Sequence, residues 1–303
     1  MRNFPEIPKK PSYLYKYCSA SRAAQICRDR TFYFTPVSKL NDLFEFRAKS
    51  FLTETTESKY RVFAKRLLAE KWCTTWDEAI DMAHSMSDDE VESSYQQFVK
   101  SLTEMLERTM THSGVTCFSE ERNNQRMWGT YGDSHSGACI EFDTSAEKSQ
   151  FAKHLMPVIY TSSKLDACPA ELMTDTLTLD QYVLGFFFCM KQVDWSEERE
   201  WRLLLLADSP QSPCERIHPF EPGAISRIFL GPRISDNDEE QIRSAAAAVG
   251  THVGVFKREI DPIESKEQYV GIEQVKCLEQ LLYWSRTANN KNRSEPSDET
   301  SSS

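Results

Sequence analysis

The chain has 303 residues, enough for one large domain or two modest ones with a full hydrophobic core. Apolar residues make up 40% and charged residues 27%, an ordinary globular balance. The formal net charge of −10 weighs against a basic face for nucleic acid or for an anionic membrane surface, so neither extended nucleic-acid binding nor membrane association is expected.

The N-terminal stretch Met1 to Pro11 holds prolines at 5, 8 and 11 and no apolar run, so no signal peptide is expected. The longest apolar stretch, Tyr182 to Met190, falls far short of the ~20 residues a membrane helix needs. Nine cysteines are scattered at 18, 27, 73, 117, 139, 168, 189, 214 and 277, with no Cys-x-x-Cys pair. That usage fits a reducing, cytoplasmic setting rather than disulfides or a zinc site.

Residues 13–17 (Tyr-Leu-Tyr-Lys-Tyr) read as a strand. Ser19 or Ser21 then caps a short helix through Arg28. Residues 31–35 read as a second strand, stopped by Pro36. A helical block follows at about 52–112. Tyr60, Phe63, Ala64, Leu67 and Leu68 share one helix face, and Thr75 with Glu78 and Ser87 with Glu90 look like capping boxes. Val91, Tyr95, Phe98, Leu102, Met105 and Leu106 form a 3–4 stripe. These helices are expected to pack on the sheet or on each other.

Strands are expected again at 115–119, 137–142 and 155–160, and a buried helix at 179–190. Residues 200–206 and 225–230 read as strands. Ser235 caps a helix ending at Gly250, residues 251–257 suggest a last strand, and 273–284 a final helix. The polar tail 288–303 should be disordered. The fold class is therefore α+β: a mixed central sheet or sheets with an inserted helical block, in one main domain over 1–287. No Gly-rich loop follows a strand, which disfavours a Rossmann or P-loop nucleotide site.

Four blocks carry a family resemblance: Leu14-Tyr15-Lys16-Tyr17; Tyr33-Phe34-Thr35-Pro36 with Leu40-Asn41-Asp42 and Phe44-Glu45; Cys117-Phe118-Ser119 with Met127-Trp128, Tyr131, Asp133, His135, Gly137 and Cys139 to Asp143; and Lys191, Trp195, Glu198 and Glu200-Trp201-Arg202. In this order they resemble the bacterial and phage-associated family called domain of unknown function 2971. Leu43 departs from it, standing where the family usually has proline. More distantly the layout resembles ADP-ribosyltransferases, which hold NAD in a cleft between two small sheets.

That resemblance implies NAD as a substrate, a split sheet, and a role as a toxin or antiphage effector by ADP-ribosyl transfer or NAD hydrolysis. It implies Glu198 and Glu200 as the catalytic carboxylates. Lys16 (where those enzymes carry His or Arg), Tyr17, Thr35, Asn41, Trp128 and Tyr131 would line the cofactor cleft. It requires Lys16 and Glu198 to converge on one pocket within roughly 10 Å. Lys16 cannot take a neutral imidazole's role.

The chemistry asks for a carboxylate near a developing ribose cation, as in glycoside hydrolysis. Glu198 and Glu200 flank Arg199 on an expected strand and so would face one side, one raised in pKa by the other. The bland alternative is a structural ion pair of Glu200 with Arg202. Trp128 and Tyr131 form either an aromatic wall or a hydrophobic plug. Cys117 with His135 suggests a thiol and its base, or merely a buried strand residue. Two other functions stay open: a non-catalytic module binding a small nucleotide or a peptide, and a metal-dependent nuclease or hydrolase using Asp42, Glu45, Glu198 and His135. No metal is expected on the leading reading.

Overall fold

The computed structural model describes residues 8–40, 55–145, 147–161, 188–207, 209–250, 252–260 and 267–271. The expectations for Asn41 to Glu45, for 179–187, for the helix at 273–284 and for the tail at 288–303 lie outside the described residues. The α+β class holds: helices accompany a sheet with parallel and antiparallel pairs. The chain divides into two compact units, each assembled from three stretches: 1–16, 29–124 and 143–224 in the first, 17–28, 125–142 and 225–303 in the second.

The first unit is built on strands β1 (Tyr13–Cys18), β4 (Gly114–Ser119), β9 (Glu200–Leu205) and β6 (Met156–Pro157), paired antiparallel in that order. The register sets Cys117 opposite Arg202, Phe118 opposite Trp201 and Ser119 opposite Glu200. Opposed residues share a face and neighbours alternate. One face therefore carries Thr116, Phe118, Trp201 and Leu203, and the other Cys117, Ser119, Glu200 and Arg202. The first is the aromatic core: Phe118 meets Phe32 edge-on at 5.4 Å, and Phe32 stacks on Phe220 at 4.4 Å.

Two expected strands prove to be broken. The stretch 31–35 splits into β2 (Thr31–Tyr33), paired with β10 (Ile217–Pro219), and β3 (Thr35–Pro36), paired with β4. Between them the Phe34 N–H donates to Arg216 O. Pro36 is the last residue of β3 and pairs with Gly114, which a sheet tolerates in so short a strand. The stretch 155–160 divides between β6 and β7 (Ile159–Thr161), because Val158 N–H turns to Glu200 O and Ile159 N–H to Cys189 O. β7 runs parallel to β8 (Met190–Gln192). Phe188 and Cys189, read as the end of a buried helix, form a bend into β8.

The insertion forms α2 (Thr56–Ala69), α3 (Trp76–Ser85) and α4 (Asp88–His112). Capping boxes start all three: the two expected ones, and Thr55 with Ser58. The helices pack on each other around Phe63, Ala64, Leu67, Ala79, Ala83 and Val91.

In the second unit, β5 (Ala138–Asp143), β11 (Ile225–Leu230), β12 (Gly254–Ile260) and β13 (Glu267–Gly271) are paired in sequence. β11 and β12 are parallel, joined by the helix Asp236–Val249, which Ser235 caps through the Asp238 N–H. β12 starts at Gly254, three residues later than expected. Helix α1 (Ala20–Asp29) receives Ser19 as a side-chain acceptor for the Arg22 N–H. Helix α5 (Gln125–Thr130) leads into a turn in which Asp133, Ser134 and His135 are all left-handed, at φ 52°, 52° and 71°. Each such residue costs roughly 1–2 kcal/mol. The turn is held by N–H bonds from Ser134 to Gly129 O, His135 to Trp128 O and Gly137 to Gly132 O. No helix among the described residues is long and apolar enough to cross a membrane.

Candidate functional site

On the polar face of the first unit lies a buried network of two carboxylates and two cations. Glu198 ends the 3-10 turn Val193–Glu198, Arg199 is left-handed at φ 42°, and β9 opens at Glu200. The expected alternation of Glu198 and Glu200 along one strand is thus corrected, because the strand begins only at Glu200. The carboxylates meet through a third residue instead. Lys191 Nζ donates to Glu198 Oε2 at 2.7 Å and to Glu200 Oε2 at 3.2 Å. Arg202 grips Glu200 from Nε to Oε1 at 2.7 Å and from Nη2 to Oε2 at 2.9 Å, and its Nη1 donates to Phe188 O.

All four side chains are nearly sealed from water, at 6% exposure or less. Ions so buried need mutual neutralisation, and two carboxylates here meet two cations. The partly exposed Trp195 ring lies 4.6 Å from the Lys191 ammonium. Tyr160, in register with Lys191, accepts the Glu200 N–H through its hydroxyl, and burial pushes its phenol up. Ser119 Oγ donates to Glu198 O at 2.7 Å.

Burial pushes the Glu200 carboxyl up, but the Arg202 and Lys191 charges and the hydrogen bonds from Arg202 and the Cys117 thiol outweigh it and take it down to about 2. The expectation that one carboxyl is raised by the other therefore does not hold for Glu200, which has cations on two sides. Burial, then the Glu200 charge, push the Cys117 thiol well above its usual value. Cys117 is a strand residue whose thiol that shift keeps protonated near neutral pH.

Of the expected cofactor residues, Lys16 and Thr35 lie in the same unit as this network. Lys16 Nζ donates to Cys117 O at 3.1 Å and Thr116 Oγ1 at 3.4 Å and stands over the Phe118 ring at 5.3 Å. It belongs to the Phe118 face of β4, while Glu200 and Arg202 occupy the other. Glu198, which precedes the strand, shares the Lys191 ammonium with Glu200 and so is tied to the network rather than to the Lys16 contacts. Thr35 pairs with Val115 at the far end of β4.

Tyr17, Trp128 and Tyr131 belong to the second unit. Trp128 is wholly buried, edge-on to Tyr17 at 5.3 Å and under the Arg258 guanidinium at 5.2 Å, so it is a hydrophobic plug rather than an open wall. His135 Nδ1 lies 3.4 Å from Arg258 Nη1. Asn41, Asp42 and Glu45 are outside the described residues. Among the described residues no group of three or more His, Cys, Asp or Glu is placed to hold a metal ion.

The sequence reading missed Lys191 as the hub. A signal existed: a lysine directly after the apolar run 182–190 must bury its charge or break the run. Tyr160 gave none, because its contact depends on the unforeseen break at Val158.

Residues 127–203 match the model of a family described as protein of unknown function (DUF2971), about a quarter of the chain. The matched segment is similar to that family and spans both the left-handed turn and the Lys191 to Arg202 network. No curated protein and no solved structure matches the chain.

Proposed function

We propose that the Lys191–Glu198–Glu200 network is the carboxylate site of an NAD-consuming enzyme, an ADP-ribosyltransferase or NAD glycohydrolase, in which Lys16 takes no part. The observation that supports the reading is the pairing of two carboxylates on one ammonium beneath the partly exposed Trp195 ring. The roles divide by their bonds. Glu200 is pinned as an anion by Arg202. Glu198 holds the same ammonium and can exchange it for a cation developing on a ribose, while Lys191 keeps Glu200 and the indole. In so dry a setting a carboxylate stabilises a nearby oxocarbenium strongly. The alternative is a non-catalytic module that binds a nucleotide or peptide, favoured by one observation: the Lys16 ammonium is engaged by Thr116 Oγ1 and Cys117 O over the Phe118 ring.

The deciding experiment incubates the protein with NAD labelled on nicotinamide, alone and with DNA, RNA or cell lysate. Release by the wild type that Glu198→Gln abolishes, with its fold intact, supports the enzyme. No release, with NAD binding unaltered in Glu198→Gln, supports the binding module.

A further inference from the structure

The helical insertion has its own core and, at one end, an aromatic side chain that the core does not take. α2 closes in a Schellman motif: Lys71 N–H donates to Leu68 O at 3.1 Å and Trp72 N–H to Leu67 O at 2.8 Å. Lys71 fills, at φ 63°, the left-handed position usually given to glycine. The residue at Trp72's place in this motif commonly packs back on its helix. Here the next residue, Cys73, enters the core at 8% exposure, and Trp72 stands 69% exposed. Its backbone N–H is held by Leu67 O while the residue stands largely exposed.

A second exposed apolar side chain touches the residue after it. The Cys73 thiol meets the Met82 sulfur at 3.7 Å, and Met82 is 37% exposed. Glu78 lies one helical turn before Met82 on the same face of α3. Its carboxylate accepts from the N–H and hydroxyl of Thr74, two residues after Trp72. Asp77 and Asp81 are exposed on the same helix, and α3 contains neither lysine nor arginine.

We propose that Trp72 and Met82, with Glu78 on the Met82 face and Asp77 and Asp81 exposed farther round the same helix, form a docking surface for a protein segment that carries lysine or arginine beside apolar residues. Tryptophan supplies binding hot spots out of proportion to its frequency, and methionine adapts to varied apolar partners. An exposed indole takes a cation on its face, and the carboxylates draw cations in. The same carboxylates repel nucleic acid and anionic lipid, which leaves a basic protein segment as the matching occupant.

The test titrates the full chain into a fluorescent peptide of alternating lysine and leucine, followed by anisotropy at low and at high salt. Salt-sensitive binding is expected, weakened about tenfold or more by Trp72→Ala and by Asp81→Lys. The exposed ring predicts that Trp72→Ala keeps the wild-type melting temperature; Met82→Lys serves as a second variant should it not. Absence of peptide binding, binding unchanged in these variants, or equal binding of a glutamate–leucine peptide overturns the proposal. So does a wild-type dimer in sedimentation that Trp72→Ala makes monomeric, which would assign the patch to a second copy of this chain.

Discussion

Arg202 and Glu200, two residues apart on one face of β9, make two parallel hydrogen bonds with both side chains at 5% exposure or less. Removing one partner of such a pair strands a buried charge. Arg202→Met is expected to destabilise the protein by about 3–5 kcal/mol. Urea unfolding reads this directly. A loss below ~1 kcal/mol would show that Lys191 alone satisfies Glu200 and that the pair is not a keystone of the sheet.

The same carboxylate sets an acid limit. Glu200 titrates at about 2 in the fold against an ordinary 4.5. A depressed carboxyl contributes stability that is fully present above pH 4.5 and is lost as pH falls from there toward 2. The difference amounts to about 3 kcal/mol. The urea midpoint should hold near neutral pH and drop below pH 4.5, and Glu200→Gln should flatten that drop. Equal acid slopes in both proteins would refute the assignment.

What the sequence revealed depended on how local each cause was. Thr75 with Glu78 and Ser87 with Glu90 were readable as helix starts because a capping box is a contact across three residues. The α4 stripe was readable because Val91, Tyr95 and Leu102 repeat with the helix period and are all buried. The carboxylate site was legible only in part. Glu198 and Glu200 stood out, but their meeting depends on Arg199 turning left-handed, which no residue type there signals. Lys191 and Tyr160 arrive from the parallel pair β7–β8, and the strand break that makes this pair was invisible in the alternation of 155–160. The opposite facing of Lys16 was deducible in principle, given the register of β1 on β4, but register is a long-range fact.

Two glycines of the second unit should respond in opposite directions. A Cβ at Gly231 would lie 2.1 Å from His135 O and 3.0 Å from Gly137 O, both backbone. Neither can give way without opening the left-handed turn, so Gly231→Ala should cost about 3 kcal/mol or more. A Cβ at Gly129, an exposed position of α5, would meet only His135 Nε2, at an ordinary 3.9 Å. Gly129→Ala should stabilise by about 0.5–1 kcal/mol through backbone entropy. Thermal melts of the two variants test the turn, since a tolerated Gly231→Ala would mean that it is looser than described.

Thiol chemistry offers a map of burial that is independent of activity. Cys214 is exposed, whereas Cys27 and Cys117 are held as thiols. Burial, and then the neighbouring Cys18, push Cys27 up to about 12, only partly offset by Arg28. Cys117 is pushed up by burial and by Glu200. A raised pKa leaves almost no thiolate at pH ~8, and the thiolate is the species that reacts. Brief alkylation of the native protein followed by peptide mass mapping should therefore modify Cys214 and spare Cys27 and Cys117. Both should react fully in urea. Cys117 is partly exposed, so its protection rests on the raised pKa, and prompt native labelling would mean that the thiol ionises near pH ~8. Labelling that appears in Glu200→Gln alone would tie the protection to the Glu200 charge.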